Sequence, residues 1–208
     1  MARGIVRRPE EKQKMTVGLN DQKATLRKQI RAAVGKISST EQLVASGHIR
    51  TRLKEHAIWA NARSVLFFVP LPDEVDIWPL LEEAITGGKI AALPRFDFQS
   101  QSYVVGCVRN LQSDLVTGQF GIREPSAACP EISLHNPDLI LVPGIAFDLH
   151  GHRLGRGKGF YDQLLAAMDG IKCGVAFDEQ VVDEVPVGRL DVRVDYVLTP
   201  SRLIKTTD

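Results

Sequence analysis

Six short apolar runs, separated by turn or helix signals, constrain this chain more than any other feature. They are Ser64–Val69, Lys89–Leu93, Tyr103–Val108, Leu139–Val142, Lys172–Phe177 and Tyr196–Thr199. Helix-like segments Val75–Thr86 and Phe160–Met168 lie between them. Apolar strands alternating with helices predict an α/β domain, with a mainly parallel sheet covered by helices on both faces. Ahead of the strands, residues 21–37 read as a helix carrying Leu26, Ile30, Val34 and Ile37 on one stripe. A second helix is predicted from Glu41 to Asn61, with Thr40 as its N-cap.

A length of 208 residues suits one full-sized core, so residues 21–208 are expected to form a single domain. Residues 1–20 include Arg3, Arg7, Arg8, Lys12 and Lys14 and read as a disordered basic extension. A transit peptide, or a start at Met15, is the alternative for that stretch. The net charge of +1 carries no polyanion signature, and no nucleic-acid partner is expected. Cys107, Cys129 and Cys173 are odd in number and form no C-x-x-C pair, which fits a reducing compartment rather than a disulfide framework. No apolar run approaches the ~20 residues of a membrane span, and the start lacks a secretory apolar core. The expectation is a cytoplasmic monomer, with organellar targeting by the extension as the alternative.

Residues 138–162, DLILVPGIAFDLHGHRLGRGKGFYD, carry the strongest chemical signal. An apolar strand leads into a loop with Arg153, Arg156 and Lys158 among Gly151, Gly155, Gly157 and Gly159, and a helix follows. Glycines let backbone N–H groups approach a ligand, and three cations in one loop repel unless an anion sits between them. That predicts a polyphosphate cradle; the plain alternative is a solvated basic loop. The pattern is not a Walker A loop, because Gly157-Lys158 is followed by Gly159. Nor is it the dinucleotide fingerprint, since Gly155, Gly157 and Gly159 make G-x-G-x-G.

Other residues become informative beside that loop. Lys23 and Arg27 lie one helical turn apart, next to the Leu26/Ile30/Val34 stripe, where they could reach an anion near the core. Snorkelling side chains are the plain reading. Asp162 in a first helical turn complements the helix dipole, but beside a phosphate it suggests a bridging cation. Asp195, entering the last strand, is a candidate second carboxylate, or only a strand-start residue. Glu74 follows a strand end and two prolines; it either decorates the next helix with Asp73 and Asp76 or accepts the paired N–H donors of a heterocycle. His150 and His152 flank Gly151 and read as loop residues in solvent. No Ser/His/Asp or Cys/His set suggests covalent catalysis.

Together these residues resemble the 5-formyltetrahydrofolate cyclo-ligase (5,10-methenyltetrahydrofolate synthetase) family. The resemblance rests on Val142-Pro143-Gly144 with Phe147-Asp148, and on the run from Arg153 to Asp162. It extends to Lys23 through Arg27, Asp73-Glu74, Gly121 through Pro125, and Asp195, in the family's order over residues 21–200. It implies a three-layer αβα fold similar to the NagB/RpiA/CoA-transferase-like fold, and ATP- and Mg2+-dependent cyclisation of 5-formyltetrahydrofolate with release of ADP and phosphate. By the resemblance, ATP is bound by Lys23, Arg27, Arg153, Leu154, Gly155, Arg156, Gly157, Lys158, Gly159, Phe160 and Tyr161, with Arg156 and Lys158 acting on the phosphates. Asp162 and Asp195 would hold magnesium, and Val69 and Glu74 would contact the folate. Phe160 departs from the family's frequent tyrosine. Phosphosugar isomerase or CoA-transferase activity is the enzymatic alternative, since similar sheets carry it. A non-catalytic anion- or nucleic-acid-binding protein is the other.

Overall fold

The computed structural model describes residues 9–100, 102–118, 121–133 and 137–207. Helix α1 (Pro9–Val34) begins twelve residues before position 21, so the stretch read as a disordered extension is helical from Pro9 onward; residues 1–8 lie outside the described residues. Pro9 stands at the helix start, where a missing N–H costs nothing. Ile30 and Val34 are buried, and Lys23, Leu26 and Arg27 are half-buried on the same stripe, as the periodicity predicts.

Helix α2 (Ser39–Lys54) is capped by Ser38, not Thr40. The Glu41 carboxylate accepts the Ser38 N–H at 2.8 Å while the Glu41 N–H donates to the Ser38 hydroxyl, a capping box that Thr40 cannot build. The long second helix is broken at His56, whose ring Nδ1 accepts the Ile58 N–H and caps the short α3 (Ala57–Ala60).

Strand β1 (Ser64–Leu66) is followed by α4 (Trp78–Thr86), β2 (Ile90–Asp97) and β3 (Ser102–Val108). The hairpin β4 (Leu115–Thr117) and β5 (Arg123–Pro125) and the short β6 (Glu131–Ile132) come next, then β7 (Leu139–Pro143). A second hairpin, β8 (Ala146–Phe147) and β9 (Arg153–Leu154), leads to α5 (Phe160–Ala166), β10 (Ile171–Val175), β11 (Tyr196–Leu198) and β12 (Leu203–Lys205).

The main sheet has eight strands in the order β12-β11-β10-β7-β1-β2-β3-β6. The five from β11 to β2 run parallel, and antiparallel strands flank them at both ends. Leu139, Ile140, Leu141 and Val142 are each at most 1% exposed, which a strand requires only when both sheet faces are covered. Leu139 and Leu141 join the core formed with α1 to α4, while Ile140 and Val142 join the one formed with Leu164, Leu165 and Met168. The result is the three-layer α/β arrangement expected from the sequence. From β1 the chain winds to β2 on one side, then returns to β7 on the other. The carboxyl ends of β1 and β7 therefore flank a topological switch point, where ligands of open α/β sheets bind.

Candidate functional site

The loop after β7 is built on a buried carboxylate. Asp148, fully buried, accepts backbone N–H bonds from His150, His152 and Val185 and a ring contact from His152 Nδ1 at 2.9 Å. Burial alone would raise the Asp148 pKa, but these donors hold it below the ordinary carboxylate value. His150 and His152 thus belong to the turn that folds β8 onto β9.

Arg153 is a tie rather than a free cation. It is 4% exposed and donates to the Pro143 carbonyl at 3.3 Å and to Asp162 Oδ1 at 2.7 Å. Its guanidinium also lies 5.7 Å from the Tyr161 ring centroid. These contacts fasten the Gly-rich loop to the end of β7 and to the first turn of α5. The Phe160 side chain lies outside the described residues.

Helix α1 reaches the loop from the other side. Arg27 Nε donates to the Gly155 carbonyl at 2.8 Å, and Lys23 Nζ pairs with Asp191, which also accepts the Gly188 N–H. Burial, and then the charge of Arg31, press the Arg27 pKa down, with Asp191 opposing them. An anion in the loop would relieve that pressure. Gly157 has φ +103°, and a Cβ there would stand 3.5 Å from the Arg27 guanidinium. Gly157→Ala should therefore force the loop out of its left-handed conformation at a cost of about 1–3 kcal/mol. The expected outcome is a loop displaced from Arg27, read as faster amide exchange or proteolysis at residues 155–159, with little change in melting temperature if only the loop rearranges. Lys158 extends from the exposed crest beside it, and Leu154 is buried in β9.

On the opposite lip stand the residues after β1. Val69 is half-buried against the core, and Pro70 and Pro72 lack the N–H groups that would continue the ladder. Glu74 Oε2 accepts the Leu71 N–H at 3.0 Å, while Glu74 Oε1 accepts Arg156 Nε at 3.1 Å and a terminal Arg156 nitrogen at 2.9 Å. The same terminal nitrogen donates to Asp73 Oδ1 at 2.7 Å. Burial raises the Glu74 pKa and outweighs the opposing pull of Leu71 and Arg156. Burial alone would lower the Arg156 pKa, but Asp73 and Glu74 raise it. The two ends respond differently because the Glu74 side chain is 9% exposed and that of Arg156 34%. A cavity of 190 Å³ opens beside this pair, between α1 and the switch point, bounded by Ile30, Val34, Gly144 and Gln180.

The two expected metal ligands do not meet. Asp162 stands at the carboxyl edge of the sheet, paired with Arg153. Asp195 immediately precedes β11, so it lies at the amino edge, where it accepts the Lys172 N–H at 2.7 Å at the start of β10. Its place is that of a strand-start residue. Among the described residues, no three His, Cys, Asp or Glu side chains converge on a common point.

The sequence signature described as the 5-formyltetrahydrofolate cyclo-ligase family matches residues 19–200. The chain belongs to that family. It is 30% identical over 200 residues to a mouse 5-formyltetrahydrofolate cyclo-ligase, covering 88% of this chain and 95% of the relative. An Escherichia coli 5-formyltetrahydrofolate cyclo-ligase is 32% identical over 157 residues, covering 74% and 86% of the two chains. A solved 5,10-methenyltetrahydrofolate synthetase of Aquifex aeolicus superposes with a TM-score of 0.81 at 33% identity, covering 89% of this chain and 93% of that one.

In this member of the cyclo-ligase family, Arg27 meets the Gly-rich loop at Gly155, Arg156 of that loop meets Glu74, and Lys23 is paired with Asp191. Asp73, Asp191 and Gln180 were not predicted as partners there. Asp191 is 168 residues from Lys23 and has no local signal. Gln180, buried, donates to the Gly144 and Ile145 carbonyls and fixes the backbone at the switch point.

Proposed function

We propose that the protein cyclises 5-formyltetrahydrofolate to 5,10-methenyltetrahydrofolate, with ATP converted to ADP and phosphate. Beyond family membership, the carrying observation is that Arg156 of the Gly-rich loop bonds Glu74. A phosphate-binding element and a carboxylate suited to a heterocycle edge thereby share one guanidinium at the switch point.

In this reading, the backbone from Arg153 to Tyr161 cradles the triphosphate, Lys23 and Arg27 approach it from α1, and Arg156 and Lys158 neutralise the γ-phosphoryl charge. Glu74 accepts N–H groups of the pterin, with Val69 against its ring. The formyl oxygen attacks the γ-phosphorus, forming a P–O bond as the bond to the ADP oxygen breaks. N10 then attacks the activated formyl carbon and loses its proton, and the C–O bond breaks to release phosphate. No protein nucleophile is required. Positioning and charge neutralisation supply the catalysis, as in phosphoryl transfer generally.

The residues fit magnesium carried by the nucleotide better than a metal caged by the protein. Magnesium usually keeps several waters and takes one or two carboxylates besides phosphate oxygens, and Asp162 is the carboxylate within the cradle. Such a metal would spread the charge of the β- and γ-phosphates. Asp195, on the other edge, does not serve this role. The protein acts in the cytoplasm as a monomer on these small molecules, without a nucleic-acid partner. Among the described residues, no helix is long and apolar enough to cross a membrane.

The test is stoichiometry. Protein mixed with 5-formyltetrahydrofolate, ATP and magnesium should form methenyl product and ADP in equal amounts. Turnover that proceeds without ATP would favour the isomerase or transferase alternative instead, and folded protein giving no product would refute the proposal.

A further inference from the structure

We infer that Asp73 is a positioning residue which, with Glu74, holds Arg156 away from the phosphate cradle in the free enzyme, so that either substrate loosens the hold and favours the other. Nucleotide and folate would then bind cooperatively. The inference rests on the functional reading above and adds to it a residue and a coupling between the two subsites.

The geometry is a mutual occupation. Arg156 directs Nε and one terminal nitrogen at Glu74 Oε1, and that terminal nitrogen also at Asp73 Oδ1, across 82 and 83 residues of sequence. Those are donors a γ-phosphate would need. Glu74 in turn has both oxygens engaged, one by Arg156 and one by the Leu71 N–H, and a heterocycle with paired N–H groups would need the same oxygens. Each group therefore stands in the other's ligand position. Arg156 also walls the adjoining cavity, whose 190 Å³ is below the ~300–1,000 Å³ of typical ligand pockets. Swinging Arg156 toward the loop would enlarge it.

The latch is exchangeable. The Asp73 side chain is 46% exposed, so its bond to Arg156 is screened and readily replaced by a phosphate. Binding of nucleotide draws Arg156 away and frees Glu74. Binding of folate occupies Glu74 and removes the better-shielded partner of Arg156, which then turns to the phosphates. By linkage, each substrate must tighten the other by the same factor.

Calorimetric titration of a non-hydrolysable ATP analogue with magnesium tests this in wild type, Asp73→Asn, Arg156→Gln and the double variant, each with and without saturating 5-formyltetrahydrofolate. In wild type, folate should tighten the analogue by about 5-fold or more. Asp73→Asn should tighten the analogue by about 2- to 5-fold in the absence of folate and shrink the gain from folate. In the Arg156→Gln background, Asp73→Asn should change nothing. An equal gain in that background would show a general charge effect and overturn the role of Asp73. If wild type binds both ligands independently, the coupling is wrong while the functional proposal stands; if it binds neither, both fall. Unchanged melting temperatures check the fold, and Asp73→Ser serves as a second variant.

Discussion

Glu74→Gln should lose activity and gain stability together, with the gain growing as the pH rises. Removing a charged acceptor from the heterocycle edge should lower kcat/KM for 5-formyltetrahydrofolate by about 10- to 100-fold. The stability effect follows from the raised pKa of the buried carboxyl. A group whose folded pKa lies above its unfolded value of about 4.3 favours the fold fully below that pH and loses the contribution as pH rises through the folded value. Glutamine does not ionise and escapes the loss. Its weaker bond to Arg156 opposes the gain only slightly, because that guanidinium is partly exposed and screened. Melting curves from pH 4 to pH 8 should show the variant's advantage increasing. An advantage that shrinks with rising pH would mean Glu74 is stabilised as the carboxylate, contrary to its surroundings.

Arg153→Ala should have the largest effect on stability. The guanidinium is nearly inaccessible and ties three pieces of chain: the end of β7, the loop through its own backbone, and Asp162 in α5. Removing one partner of a buried ion pair costs about 3–5 kcal/mol. At roughly 2–4 °C per kcal/mol for a chain of this size, the melting temperature should fall by about 10 °C. Adding Asp162→Asn should recover part of the loss, since asparagine needs no cation. A drop of less than about 2 °C with a raised KM for ATP would instead make Arg153 a nucleotide ligand.

The contrast between Arg153 and Arg156 shows where sequence stops being informative. Both are arginines of one Gly-rich loop, three residues apart, and pattern alone gave them one role. Burial separates them, and burial depends on the β8/β9 hairpin, whose two-residue strands carry no periodicity. The parallel core was legible because β7 is apolar at four consecutive positions and because α4 separates β1 from β2 and α5 separates β7 from β10. The direction of β3 was not, since an apolar run does not say which way its strand runs, and neither was the existence of β4 to β6, strands of two or three residues specified by their partners. The position of Asp195 was readable in principle. A residue entering a parallel strand lies on the amino edge, opposite a site at the carboxyl edge. The Lys23–Asp191 pair has no such signal, because only tertiary structure brings those positions together.

The most direct test follows one oxygen atom. With 5-formyltetrahydrofolate labelled with 18O at the formyl group, phosphorylation of that oxygen followed by attack of N10 should transfer the label to the released phosphate, one atom per turnover. Unlabelled phosphate, with methenyl product still forming, would contradict transfer of the phosphoryl group to the formyl oxygen and the role assigned to the Gly-rich loop.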